Sequence, residues 1–186
     1  CHRAASVKEE IAFALQHEDL AGIFGKLLEN GEVPLRVTHN DTKLNNIMID
    51  LETGKGICVV DLDTVMPGLA MNDFGDAIRF GASTALEDEK DLSKVSCDME
   101  IYVKGFLESC GDKLNAREIE MLPMGAKVMT YECGIRFLTD YLEGDHYFKI
   151  DREDHNLDRC RTQFKLVADM EQKWEQMQAI VKKYQK

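Results

Sequence analysis

Thr38-His39-Asn40-Asp41-Thr42-Lys43-Leu44-Asn45-Asn46 runs straight into the apolar triplet Ile47-Met48-Ile49. A second apolar run, Ile57-Cys58-Val59-Val60, leads into Asp61-Leu62-Asp63, and Glu52-Thr53-Gly54-Lys55-Gly56 between the two is a turn by composition. This stretch reads as a β-hairpin with clustered polar residues at its open end. Centring the turn on Thr53-Gly54 places Asn46 opposite Asp61, with Asp41 a short loop away. An amide oxygen and a carboxylate brought together suit Mg²⁺, which takes one or two protein oxygens and fills its other positions with water and substrate phosphates.

Outward from the hairpin the periodicity is helical. Val7 to Asn30 carries Ile11, Leu15, Leu20, Ile23, Phe24, Leu27 and Leu28 at helical spacing, as one helix or two, with Gly31 as a stop and Pro34 beyond it. Beyond Gly81 the pattern predicts helices over Met99–Cys110, Ala116–Leu142 with a break near Pro123, and Glu153–Tyr184. Asn115 and Glu118 form a capping-box pair. In the last helix Phe164, Val167, Met170, Trp174, Met177 and Ile180 make one apolar stripe, read as core packing.

Composition narrows the function. The 186 residues hold 34 acidic side chains against 23 Lys plus Arg, a formal charge of −11, which is the wrong field for a nucleic-acid surface. No apolar run reaches the roughly 18 residues needed to span a bilayer. The six cysteines show no zinc-binding spacing. Cys58 and Cys133 fall in apolar segments and read as small buried hydrophobes, and reduced thiols fit a cytoplasmic protein. The chain opens on Cys-His-Arg rather than Met, which reads as a piece of a longer protein.

His39-x-Asp41-x-x-x-x-Asn46 followed by Asp61 at the end of the returning strand resembles the catalytic core of the aminoglycoside phosphotransferase and choline kinase superfamily, which has the protein-kinase-like fold. The resemblance implies a mostly α fold with a small β-hairpin: residues 1–186 as a single domain, the C-terminal lobe of that fold. It implies Asp41 as the group that orients the acceptor hydroxyl, Asn46 and Asp61 as Mg²⁺ ligands, and His39 as a brace for the catalytic loop. Asp63 either assists the metal site or does not. Asp73-Phe74-Gly75 spells a kinase metal-binding triplet but lies off the hairpin. Gly68-Leu69-Ala70-Met71-Asn72-Asp73-Phe74 instead keeps the spacing of the superfamily's Gly-Pro-x-x-x-Asp-Leu pattern, with Leu69 in place of Pro. Asp73 then accepts hydrogen bonds from the catalytic-loop backbone, and Asp76 either shares that task or faces the substrate. Lys43 is either a cation near the transferring phosphate or a solvated loop lysine.

Asp41-Thr42-Lys43-Leu44-Asn45-Asn46, Val60–Gly68, Asp73–Phe80 and Ile135–Phe148 together look like the N-acetylhexosamine 1-kinase group, which phosphorylates the anomeric hydroxyl of GlcNAc or GalNAc. Glu132, Arg136 and Asp140 share one helix face, either as an ion-pair ladder or as a hydroxyl-recognition surface with Arg136 and Tyr147 contacting the sugar. Implied with this are ATP as co-substrate, Mg²⁺, a sugar acceptor, and a separate N-terminal nucleotide lobe, for which the forty residues before Asp41 read as too helical. Choline or an aminoglycoside as acceptor, or a non-catalytic kinase-like binding module, are the alternatives.

Overall fold

The computed structural model describes residues 2–185. Among them lie α1 (Lys8–Gln16), α2 (Ile23–Glu29), β1 (Arg36–Thr38), β2 (Ile47–Ile49), β3 (Gly56–Val59), β4 (Met66–Gly68), α3 (Ala70–Gly81), α4 (Glu100–Cys110), α5 (Ala116–Glu120), α6 (Leu122–Glu143), α7 (His155–Gln172) and α8 (Trp174–Tyr184). The mostly helical expectation holds. No helix of the described residues is long and apolar enough to cross a membrane.

The hairpin forms, but one residue out of the expected register. Ile47 pairs with Val59, Met48 with Cys58 and Ile49 with Gly56, so Ile57 is an extra residue on β3. Asp50 causes this. Its Oδ1 accepts from Thr53 N and Thr53 Oγ1, both at 2.7 Å, while its carbonyl takes Gly54 N at 2.8 Å. Gly54 sits at φ 68°, a conformation glycine adopts without cost. The chain therefore reverses at Glu52-Thr53, with Asp50 N bonded to Lys55 O at 2.9 Å, and Asn46 faces Val60 (Val60 N to Asn46 O, 2.9 Å) instead of Asp61. Cys58, expected to be buried, is exposed like the rest of β3, because no layer covers this two-stranded sheet.

A second sheet was not foreseen. β1 and β4 pair antiparallel, Arg36 with Gly68 and Thr38 with Met66. A Cβ at residue 68 would stand 2.2 Å from Thr38 Oγ1, so only glycine lets the strands approach this closely. Arg36 on β1 is clamped by Glu118 of α5, with Nε and Nη2 at 2.7 and 2.6 Å from the two carboxylate oxygens. Glu118 also closes the expected capping box with Asn115. Strand and helix cap thus share one buried carboxylate.

Residues 82–99, ahead of the predicted helix from Met99, carry a single helical turn at Leu92–Lys94 and fold back on themselves through Thr84 N to Ser96 O and Asp98 N to Ala82 O, both 2.9 Å. The expected helix over Glu153–Tyr184 is two helices, broken at Lys173, whose ammonium is drawn to Asp169 and to Cys97 O. The break turns Met177 and Val181 into the core shared with α3, α4 and α6. A second cluster joins α1, α6 and α7 through Val7, Tyr131, Phe137, Phe164 and Val167. Cys133 lies within it, and burial pushes its thiol up to about 12.

Helix α6 serves both clusters and crosses α3 at backbone contact. A Cβ on Gly75 would meet Gly125 O at 2.2 Å, and one on Gly125 would meet Met71 O at 2.3 Å. Gly125→Ala is therefore expected to destabilise the protein by about 1–3 kcal/mol in urea unfolding. Gly105→Ala, in α4 with nothing near its Cβ position, should instead stabilise by about 0.5–1 kcal/mol.

Candidate active site

The polar segment between β1 and β2 has little secondary structure of its own, so its backbone polar groups need other partners. Helix α3 supplies them. Asp73, in its first turn, accepts His39 N on Oδ2 and Asn40 N on Oδ1, both at 2.8 Å. Asp76, one turn later, accepts Thr42 N at 2.7 Å. Thr42 Oγ1 donates to Asp73 O at 2.6 Å. From the other side Thr64 Oγ1 donates to His39 O at 2.6 Å, and Asn40 Nδ2 donates to Thr64 O at 2.9 Å. Asn40 is held at φ 63° by these bonds.

Asp41 stands at the apex of the loop so fixed. Its Oδ2 accepts Lys43 Nζ at 2.8 Å and Asn46 Nδ2 at 2.9 Å, and Asn46 Nδ2 also reaches Asp41 O at 2.9 Å. Partial burial pushes the Asp41 carboxyl up, but the Lys43 and Asn46 bonds outweigh it and hold the group below the usual carboxylate range. The same pair raises the Lys43 ammonium, with Asp61 and Asp76 adding to the effect. Oδ1 of Asp41 accepts no hydrogen bond among the described residues. His39 braces from behind: Nε2 donates to Val60 O at 3.0 Å, leaving Nδ1 buried and without a partner.

The residues expected at a metal lie at the same end. Asn46 is buried, and because its nitrogen is committed to Asp41, its Oδ1 is the atom left to bind a cation. Asp61 follows Val60 at φ 64° and is exposed, and Asp63 is exposed in the short turn after it. Among the described residues no three His, Cys, Asp or Glu side chains converge as a metal cage. An amide oxygen with one or two carboxylates is a donor set that fits Mg²⁺ bound together with phosphates.

Of the two roles expected for Asp76 the structure shows the first, accepting loop backbone beside Asp73, and Asp140, expected on a recognition face, is engaged by backbone as well. Asp76 is buried, with Thr42 N on one oxygen and Arg79 Nε and Nη2 at 3.0 and 2.7 Å on the other. Asp140 lines the same cavity as Glu132 and Arg136 but is buried beneath the loop after α6, its oxygens taken by that loop's backbone and by Asn156. Glu132 and Arg136 do pair, at 3.7 Å, and line this surface cavity of about 520 Å³ with Ile135, Thr139, Tyr147 and Phe148. Arg136 Nη2 lies 3.3 Å from the Tyr147 hydroxyl, and its guanidinium lies 5.4 Å from the Phe148 ring centre. Burial raises the Glu132 carboxyl, while Arg136 and Arg79 pull it down and Asp76 pushes it up.

Sequence reasoning missed Thr42, Thr64 and Arg79. The Arg79 pairing was legible as an i,i+3 partner of Asp76 on a helix. Glu87, which accepts Arg79 Nη1 at 2.8 Å from an irregular segment, left no such signal.

Residues 1–92 match the model of a phosphotransferase enzyme family, APH. The matched stretch contains Asp41, Lys43, Asn46, Asp61, Asp63, Asp73 and Asp76, and stops before α4; Arg136 and Tyr147 lie beyond it. The match supports the aminoglycoside phosphotransferase, kinase-like superfamily for this chain.

Asp73→Ala removes the acceptor for two backbone N–H groups. It is expected to cost about 1–3 kcal/mol and to speed amide exchange at His39 and Asn40 well beyond the global change. Protection at those amides equal to wild type would contradict the loop-holding role.

Proposed function

Taking phosphotransferase character from the match of residues 1–92, we propose that this chain is the acceptor-binding, catalytic-loop lobe of an ATP-dependent kinase that phosphorylates the anomeric hydroxyl of an N-acetylhexosamine. The observation that carries the reading is Asp41: an ionised carboxylate with one oxygen tied to Lys43 and Asn46, on a loop whose backbone is bonded to α3. Its other oxygen takes the acceptor hydroxyl and orients it for in-line attack. An anomeric hydroxyl is more acidic than an ordinary alcohol, so so weak a base suffices. Lys43 carries its charge beside the oxygen where the transferring phosphoryl group arrives. When bound with ATP, Mg²⁺ held by Asn46 Oδ1 and Asp61, with Asp63 nearby in sequence, would neutralise charge on the phosphate oxygens.

The acceptor pocket in this reading is the Arg136 cavity. Glu132 and Arg136 offer an acceptor and donors, and Tyr147 and Phe148 an aromatic surface, a combination that suits a neutral ring bearing hydroxyl and amide groups. An arginine in the wall disfavours a cationic acceptor such as choline or an aminoglycoside. The nucleotide side is the hairpin face. Met48, Ile49, Ile57, Val59 and Leu62 are each more than half exposed, apolar surface suited to cover by a nucleotide base and an N-terminal lobe. The 186-residue chain alone should accordingly bind ATP weakly in calorimetry.

Phosphorus NMR of the intact protein with ATP and a panel of GlcNAc, GalNAc, choline and an aminoglycoside should show sugar 1-phosphate. Product from the cationic acceptors alone would sink the sugar assignment, and ATP loss without any acceptor would point to a hydrolase. Asp41→Ala should lower kcat by about 10²–10⁴ while ATP binding persists. Lys43→Met removes the charge that depresses the Asp41 carboxyl. The acid limb of its kcat/KM profile should move to higher pH.

A further inference from the structure

Asp140 is 3% exposed, and its carboxylate is saturated. Oδ1 accepts His146 N and Tyr147 N, both at 2.8 Å; Oδ2 accepts Phe148 N at 2.9 Å and Asn156 Nδ2 at 2.8 Å. Three successive backbone N–H groups converging on one anion form a nest, and here the anion is supplied by the chain itself. Burial pushes this carboxyl up, but the backbone bonds and Asn156 more than offset that and keep it below the usual range, hence ionised.

The loop that wraps Asp140 is fixed at its start as well. Gly144 at φ 111° ends α6, and Asp145 continues in the left-handed region at φ 62°. Asp145 is held there from both sides. One carboxylate oxygen accepts Asn156 Nδ2 at 2.9 Å, and the other accepts Arg3, which also donates to Tyr141 O at 2.8 Å. Asn156 is fully buried and bonds both aspartates, so α7 locks the loop to the end of α6.

The loop delivers the aromatic wall of the Arg136 cavity. Phe148 packs on Phe137 with ring centres 4.6 Å apart, and Tyr147 stands edge-on to Phe148 at 4.7 Å. Tyr147 itself is 73% exposed, so little beyond its backbone N–H bond and its contacts with Phe148 and Arg136 sets its direction. We infer that Asp140 is a positioning residue for the acceptor: it lines the cavity, but its oxygens are spent on the loop and Asn156, and through the N–H groups of residues 146–148 it sets Tyr147 and Phe148 against Arg136. Arg3 at the opposite end of the chain does the same more weakly through Asp145. The inference rests on the Arg136 cavity being the acceptor pocket.

The test is titration of the 186-residue chain with N-acetylglucosamine, followed by ¹H–¹⁵N NMR, across Asp140→Asn, Arg3→Ala, Tyr147→Ala, Arg136→Ala and the double variant Asp140→Asn/Tyr147→Ala. Asp140→Asn should weaken binding by about tenfold, and the double variant should bind no more weakly than Tyr147→Ala alone, because both changes act through one side chain. Amide exchange at residues 146–148 should quicken in Asp140→Asn. Arg3→Ala, a partly exposed site, should weaken binding by about two- to threefold, and it decides the matter if Asp140→Asn fails to fold. Wild-type affinity in the folded Asp140→Asn and Arg3→Ala variants, or fully additive losses in the double variant, would overturn the inference while leaving the pocket. Wild-type affinity in Arg136→Ala and Tyr147→Ala, or no binding by the wild-type chain, would overturn the pocket reading itself and the inference with it.

Discussion

Two carboxylates on one face of α3 hold the loop between β1 and β2 by its backbone. Asp73 and Asp76 accept the N–H groups of His39, Asn40 and Thr42, which no strand or helix ladder satisfies. Without that, three partly buried donors would lack partners and Asn40 would lose the bonds that keep it left-handed. Asp41 owes its position to its neighbours' bonds more than to its own. Its ionised state follows from the two cross-loop contacts, with Lys43 and Asn46, that this backbone path permits.

Helix α3 can act as a fixed support because of what lies behind it. Gly75 and Gly125 bring α3 and α6 to backbone contact, so the carboxylates on α3 and the cavity residues on α6 sit on two directly packed helices. The Arg36–Glu118 clamp ties β1, the strand entering the loop, to α5, just before α6. Breaking it would leave a fully buried carboxylate without its cation, far costlier than losing a surface ion pair. Asp140 repeats the device at the far end of α6, there with one carboxylate organising three successive backbone amides.

Much of this was legible from side chains that have few other uses. The polar run from His39 to Asn46 before an apolar triplet, and Asp61 after the returning strand, marked the hairpin and its open end. The Asn115–Glu118 box was readable from local chemistry alone. The register was not, because the turn centre depended on Asp50 capturing Thr53, a choice between near-equal local bonds. Nor was the break at Lys173 visible, since the apolar stripe continues unbroken across it and only contacts with the 96–97 segment bend the chain.

Asp73, Asp76 and Asp140 show where the boundary lies. Helical spacing placed Asp76 a turn from Asp73, and Asp140 on a face with Arg136, but spacing says nothing about which backbone will arrive above a side chain. Tertiary packing brought a loop thirty residues upstream onto α3, and folded the segment after α6 back over Asp140. The sequence by itself determined a mostly helical chain, a polar-ended hairpin and a carboxylate-rich phosphotransferase pattern. The family pattern had already set Asp73 to the loop backbone; only the tertiary structure decided between the two readings of Asp76 and spent Asp140 on backbone, because an unsatisfied buried N–H takes the nearest strong acceptor wherever the chain supplies one.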